Sequence, residues 1–88
     1  MSEFKYDLAV IGLGYVGLPL AIEAANNSLK VAGYDTNEFV VSNLNNSVSH
    51  VEDVSNKALS EALSKELSFT SDSNVLGDSE HIVISVPT

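Results

Sequence analysis

The chain has 88 residues, which is enough for one small hydrophobic core and too few for a complete multidomain enzyme. Twelve acidic side chains against four lysines and no arginine give a formal net charge of -8, which argues against nucleic acid and anionic membranes as partners because both require a basic surface. The absence of cysteine excludes disulfide bonds and thiolate metal sites, and nothing else in the sequence suggests a metal.

No apolar run approaches the length of a membrane span. The first residues also lack the basic region and hydrophobic segment of a signal peptide. We therefore expect a cytoplasmic location and no membrane partner.

The first predicted strand, Tyr6–Ile11, runs directly into the glycine-rich segment Gly12-Leu13-Gly14-Tyr15-Val16-Gly17. In a dinucleotide-binding βαβ unit the first glycine permits a tight turn, the second lets the backbone approach a pyrophosphate, and the third packs the helix against the strand. The next predicted helix, Tyr15–Asn26, would present free amides and a positive dipole end to that anion. Its apolar spacing and the absence of basic residues from the turn both agree with this interpretation.

A second predicted strand, Leu29–Tyr34, ends at Asp35. A carboxylate at this point accepts hydrogen bonds from adenosine ribose hydroxyls and repels a 2′-phosphate. Because no arginine is present and no lysine follows closely, NAD is the predicted cofactor rather than NADP. A turn or helix-capping role for Asp35, at the start of Asp35-Thr36-Asn37, is compatible with that function.

The rest of the chain continues to alternate helices with strands. A helix is predicted from Asn37 or Glu38 to the polar segment Asn45–Ser47, and another follows Ser55 as N-cap. The intervening loop, residues 45–55, is predicted to be mainly a solvated connection. Further strands are predicted at Leu67–Thr70 and His81–Val86, the second of them with a fully buried apolar run at Ile82–Val86.

Alternating strands and helices predict an α/β fold, a Rossmann-like parallel sheet with helices on both faces. Four strands are fewer than the complete fold has, so the sheet is predicted to be truncated. The sequence also stops immediately after a buried-type strand, at Ser85-Val86-Pro87-Thr88. We expect residues 1–88 to be a partial NAD-binding domain of a longer protein.

Three segments together resemble the UDP-glucose/GDP-mannose dehydrogenase family. The stretch from Leu8 to Ala21 continues the glycines as Tyr15-Val16-Gly17-Leu18-Pro19, which is far more specific than the glycines alone. Asp35-Thr36-Asn37 is similar to the family's Asp-x-Asn after the second strand. Val86-Pro87-Thr88 is similar to the start of its Val-Pro-Thr-Pro strand end. The matches span essentially the whole chain.

The resemblance implies a nucleotide-sugar 6-dehydrogenase acting in polysaccharide biosynthesis. Two NAD molecules would in turn accept hydride from C6 of a UDP-sugar, converting the alcohol to a carboxylate through a cysteine thioester. Ser49-His50-Val51-Glu52-Asp53-Val54 is similar to a segment common in the branch that oxidises UDP-N-acetylhexosamines such as UDP-N-acetylmannosamine. The UDP-sugar would bind only the full-length parent, an expected homo-oligomer. The catalytic cysteine and lysine lie downstream, so this chain alone is expected to be inactive and to hold no catalytic residue.

The family's cofactor contacts can be transferred by position. The turn residues would supply the pyrophosphate amides, Asp35 would hold the ribose, and the last four residues would border the ribose and nicotinamide. Val40 departs from the family, because several members carry a basic residue there against the adenosine; this bears on cofactor affinity and not on the fold. The predicted cofactor-binding residues are Gly12, Leu13, Gly14, Tyr15, Val16, Gly17, Asp35, Ser85, Val86, Pro87 and Thr88.

Two other functions are compatible with parts of the sequence. The isolated chain could be only a structural or self-associating module, with an exposed edge on its fourth strand that pairs with another copy. An S-adenosylmethionine methyltransferase shares the glycines and the acidic residue, but not the Tyr-Val-Gly-Leu-Pro extension. Saturable dinucleotide binding would separate the first alternative from the NAD-binding function.

Overall fold

The computed structural model describes residues 4–85, which form a four-stranded parallel sheet with the order β3-β2-β1-β4. This confirms the predicted Rossmann-like α/β fold. The strands are β1 (Tyr6–Ile11), β2 (Val31–Tyr34), β3 (Leu67–Thr70) and β4 (Ser79–Ile84). The helices are α1 (Gly17–Asn26), α2 (Glu38–Asn45), α3 (Asn56–Leu63) and the short α4 (Asn74–Gly77).

The strand order places a topological switch point beside β1. From β1 the chain moves outward to β2 and β3, and it then returns across the sheet so that β4 pairs with the other side of β1. Right-handed crossovers put α1 to α3 on one face and the returning segment with α4 on the other. In such sheets, ligands bind beyond the carboxyl ends of the strands where the winding reverses. The glycine-rich turn that follows β1 lies at this position.

The hydrophobic core lies between the sheet and helices α1 to α3. Its largest fully buried side chains include Val10 and Val31 from the sheet, and Leu18, Leu44 and Leu59 from the three helices. Alternate residues of each strand point to the same face, so this core takes one side of the sheet. The helices that form the core thereby fix the start of α1 against the end of β1.

Local sequence signals place most of the element boundaries. Ser55 is the N-cap of α3, as predicted, and its side chain accepts a hydrogen bond from an amide of that helix. The N-cap of α2 is Asn37, which accepts hydrogen bonds from two amides, whereas the sequence had suggested a capping role for Asp35. α1 begins at Gly17, two residues later than predicted, because Tyr15 still belongs to the turn. β2 also begins two residues late, and helix α4 was not predicted. A four-residue helix is too short to show a helical period.

The prediction that the last apolar run is fully buried is wrong. The first three residues of the run, Ile82, Val83 and Ile84, lie in β4 and are 47%, 37% and 66% exposed, whereas Val86 lies outside the described residues. β4 is an edge strand of the described sheet, and α4, with four residues, is too short to cover it.

The loop between α2 and α3 is mainly exposed, as predicted, but two of its side chains anchor it to the core. Val51 and Val54 are buried in the hydrophobic core, while Glu52 and Asp53 between them are exposed. Two apolar side chains three residues apart in a tight turn are enough to attach the loop to the core. Within the described residues, no helix has the length and apolar character needed to cross a membrane.

Candidate dinucleotide site

The glycine-rich turn is built by two backbone contacts that leave no room for side chains. Gly12 has a φ of 93°, a left-handed conformation that favours glycine, and a Cβ on it would collide with the carbonyl oxygen of Ser85. A Cβ on Gly17 would collide with the carbonyl oxygen of Gly12. Both hypothetical contacts are well below 3.0 Å. These two glycines therefore allow β1, β4 and α1 to meet closely.

Gly14 differs from the other two glycines of the motif, because a Cβ there would meet nothing within 4 Å. It lies outside the left-handed region, and the residue is exposed. Protein packing therefore does not require glycine at this position. The open space above the turn is where an approaching pyrophosphate would need room.

The beginning of α1 is uncapped, unlike the beginnings of α2 and α3. No side chain accepts a hydrogen bond at this end, and the first turn has no acidic residue. Within residues 4–85, the amides of Gly14, Tyr15, Val16 and Gly17 have no acceptor. Four unpaired donors at the positive end of a ten-residue helix are an arrangement that can bind an anion without a cationic side chain.

Asp35 lies at the end of β2, beside this turn. Its Oδ2 accepts a hydrogen bond from the Leu13 amide at 3.1 Å, and its Oδ1 accepts one from the Asn37 amide at 2.9 Å. Each carboxylate oxygen has two lone pairs, so both oxygens keep acceptor capacity for ribose hydroxyls. Asp35 therefore has the turn role that was compatible with its sequence position, through its contact with the Asn37 amide. The N-cap of α2 is Asn37 and not Asp35.

The third part of the site comes from the end of β4. The Ser85 amide donates to the Ile11 carbonyl at 2.8 Å, and the Ser85 backbone contacts Gly12 closely. The structure thus brings Ser85 to the same edge of the sheet as the glycine turn and Asp35. The other predicted contacts of this group, Val86, Pro87 and Thr88, lie outside the described residues.

The side chains around the turn divide between solvent and core. Tyr15 and Val16 are 72% and 68% exposed, so the turn offers backbone amides beneath two solvent-facing apolar side chains. Val40, where several family members carry a basic residue, is half-buried and packs against the hydrophobic core. In this chain, position 40 is therefore occupied by a packing residue.

One contact of the turn was not predicted from the sequence. His50 Nε2 lies 2.6 Å from the carbonyl oxygen of Leu13, so the anchored loop between α2 and α3 reaches the glycine turn. The two residues are 37 positions apart. The Ser-His-Val-Glu-Asp-Val segment was the available signal, but sequence spacing does not show where a loop folds back.

The carboxyl edge of the sheet carries the glycine turn, Asp35 and Ser85. A cavity of about 200 Å³ lies at the opposite edge and is lined by residues that include Lys5, Lys30 and Lys65. Parallel sheets bind ligands at the carboxyl ends of their strands, so we do not assign that cavity to a cofactor. No group of three or more His, Asp or Glu side chains in the described part of the chain is arranged to hold a metal ion.

The fold and this edge of the sheet define a dinucleotide-binding βαβ protein of the Rossmann type. Comparison with protein families gives a match over residues 6–88 to the UDP-glucose/GDP-mannose dehydrogenase family, NAD binding domain. The chain belongs to this family, and the cofactor of the matched domain is NAD.

Individual relatives agree with the family match. The chain is 37% identical to Protein CapL of Staphylococcus aureus, over 93% of this chain and 18% of that protein. It is 40% identical to a UDP-N-acetyl-D-glucosamine 6-dehydrogenase of Salmonella typhi, over 96% of this chain and 19% of that protein. The structure of a UDP-N-acetyl-D-mannosamine dehydrogenase from Pyrococcus horikoshii superposes with a TM-score of 0.83 and 38% identity, over 90% of this chain and 19% of that one. The chain thus spans about a fifth of the length of these relatives.

Proposed function

We propose that this chain binds NAD at the carboxyl edge of its sheet, as part of the NAD-binding domain of a longer nucleotide-sugar dehydrogenase. The observation that carries the proposal is the arrangement of four acceptor-free amides at the uncapped start of α1 beside the Asp35 carboxylate. Amide donors that can bind an anion lie there beside a carboxylate that can accept hydrogen bonds from hydroxyls. This combination fits a pyrophosphate joined to a ribose.

Each predicted residue has a distinct part in this proposal. Gly12 and Gly17 set the turn, and the amides from Gly14 onward hold the pyrophosphate. Asp35 accepts the adenosine ribose hydroxyls, and the backbone of residues 85–88 borders the nicotinamide side. When bound, NAD supplies a hydride acceptor; the residues of this chain bind and orient it and hold no catalytic group.

The preference for NAD over NADP follows from the charges near Asp35. A 2′-phosphate would approach a carboxylate, and Glu38 stands in the first turn of the next helix. No arginine is present in the chain to compensate these charges. A phosphate next to uncompensated carboxylates is repelled, whereas a hydroxyl donates to them.

Asp35→Asn is expected to reduce the preference for NADH over NADPH by about tenfold or more, since a hydrogen bond to a charged acceptor contributes roughly 1.5–3 kcal/mol. Asp72→Asn is the matched control. Asp72 follows β3, and its Oδ1 accepts from the amide two residues on at 2.9 Å, just as Asp35 does. Titration of both variants with NADH and NADPH measures the effect. An unchanged preference in Asp35→Asn, or an equal change in Asp72→Asn, would contradict the assigned role.

We further propose that the longer protein oxidises the C6 alcohol of a UDP-N-acetylhexosamine to a uronic acid with two NAD. Support comes from the relatives named as UDP-N-acetyl-D-glucosamine and UDP-N-acetyl-D-mannosamine dehydrogenases. A homo-oligomer acting in the cytoplasm, in polysaccharide biosynthesis, fits the same proposal. The number of NADH molecules formed by the full-length protein per UDP-sugar consumed tests it, with two expected and one contradicting it. The 88-residue chain alone is expected to form none.

The exposed edge strand β4 favours a second candidate function, self-association of the isolated chain. Ile82 and Ile84 lie on one side of a strand whose outer edge is unpaired in the sheet of residues 4–85, and both are about half exposed or more. Such an edge pairs readily with another strand. A chain that associates through β4 and does not bind NADH would be a structural module. Sedimentation at increasing concentration, with and without NADH, separates the two functions.

A further inference from the structure

We propose that His50 is a positioning residue for the cofactor site, which directs the Gly14 amide toward the pyrophosphate by holding the Leu13 carbonyl. This inference rests on the proposed NAD-binding function. Its basis is the contact between His50 Nε2 and the Leu13 carbonyl oxygen, at 2.6 Å. A carbonyl oxygen only accepts hydrogen bonds, so Nε2 carries the proton and donates it.

The geometry of the peptide group links this contact to the cofactor. The Leu13 carbonyl and the Gly14 amide belong to the same planar trans peptide, in which C=O and N–H point in opposite directions. A donor that holds the carbonyl on one side therefore fixes the direction of the N–H on the other. Within residues 4–85 this N–H has no acceptor, and it is the first of the four unpaired amides.

Leu13 is held through its amide, its side chain and its carbonyl. The carbonyl contact, with His50, is the one that orients the peptide between Leu13 and Gly14. The Leu13 amide donates to Asp35 Oδ2, which fixes the preceding peptide, between Gly12 and Leu13. The Leu13 side chain is almost completely buried. The first backbone bond of α1 goes from the Leu18 amide to the Gly14 carbonyl, so the helix does not use the Leu13 carbonyl. Without His50, that carbonyl has no partner among the described residues.

The loop that carries His50 is built to hold it in place. On one side, the Ser49 amide donates to the Asn56 side chain at 2.8 Å, and the Ser49 hydroxyl donates to the Val51 carbonyl at 2.9 Å. On the other side, Val51 and Val54 are buried in the core. The histidine is thus presented to the turn from an anchored backbone. A hydrogen bond to the carbonyl also polarises the peptide and strengthens its N–H as a donor.

Three substitutions at position 50 separate the hydrogen bond from other effects of the side chain. Glutamine places an N–H at nearly the reach of Nε2, whereas asparagine is too short and alanine has no donor. His50→Ala and His50→Asn are expected to weaken NADH binding by about 3- to 10-fold, the value of one ordinary hydrogen bond. His50→Gln is expected to stay within about twofold of the wild-type chain. His81→Ala, at an exposed position on β4, is the control.

Amide and carbonyl NMR shifts of the unliganded chain provide a readout that is independent of binding. The Leu13 carbonyl carbon and Gly14 amide nitrogen are expected to shift in His50→Ala and His50→Asn, and to stay near wild type in His50→Gln and His81→Ala. Unchanged shifts in all variants, equal NADH affinity in all variants, or an affinity loss in His50→Gln as large as that in His50→Ala would overturn the role of His50. A wild-type chain that binds no NADH would instead remove the proposed function itself.

Discussion

Gly17→Ala and Gly12→Ala are each expected to unfold the chain. At position 17 the added methyl group would collide with the Gly12 carbonyl oxygen, a backbone atom that cannot rotate away. At position 12 it would collide with the Ser85 carbonyl oxygen and would also occupy a left-handed backbone conformation. The collision costs about 1–3 kcal/mol or more at either position, and the left-handed conformation adds about 1–2 kcal/mol at position 12. These costs are comparable to the whole stability of so small a domain.

Circular dichroism of the two variants under increasing urea measures this effect. Gly77→Ala is the matched control, because a Cβ at position 77 meets nothing within 4 Å and the residue is exposed. Its free energy of unfolding is expected to stay within about 0.5 kcal/mol of wild type. A Gly17→Ala chain as stable as Gly77→Ala would show that β1, β4 and α1 do not approach each other as closely as described.

Gly14→Ala is expected to have the opposite profile: an intact fold with impaired NADH binding. The methyl group would enter open space in the unliganded chain, so the free energy of unfolding should change by less than about 0.5 kcal/mol. In the complex, the same space is the approach path of the pyrophosphate. Crowding of about 1–3 kcal/mol corresponds to a loss of roughly 5- to 150-fold in affinity.

Urea denaturation and NADH titration of the same Gly14→Ala preparation test both halves of this prediction. Gly77→Ala again serves as the control, because it adds the same methyl group far from the glycine turn. Tight NADH binding by Gly14→Ala would mean that the ligand does not approach the backbone at this turn. A large loss of stability would mean that Gly14 is required for packing, which the open space around it argues against.

The parts of the fold that follow local rules were predictable. The glycine spacing predicted the strand–turn–helix unit because a tight turn and a close approach of helix to strand both exclude side chains, as the blocked Cβ positions at Gly12 and Gly17 show. The N-cap Ser55 was predictable for the same reason, since its side chain caps an amide only three residues away. The assembly of the sheet then followed from the handedness of its crossovers.

The features that depend on the position of distant segments were not predictable. The apolar run of β4 is typical of a buried strand, but burial depends on what lies beside and above the strand and not on its own residues. The contact between His50 and Leu13 joins a loop to a turn across the first two strand–helix units. Local sequence showed a polar loop, and only the packing of Val51 and Val54 brings its histidine to the turn.

The most direct test of the cofactor site is an amide NMR titration of the folded chain with NADH, with NADPH as the comparison. We expect saturable shifts centred on residues 12–17 and on Asp35, with stronger binding of NADH. This result would establish the uncapped start of α1 and the Asp35 carboxylate as one working site. A chain that is folded and shows no shift at these residues up to millimolar NADH would contradict the proposal that this part of the domain binds NAD by itself.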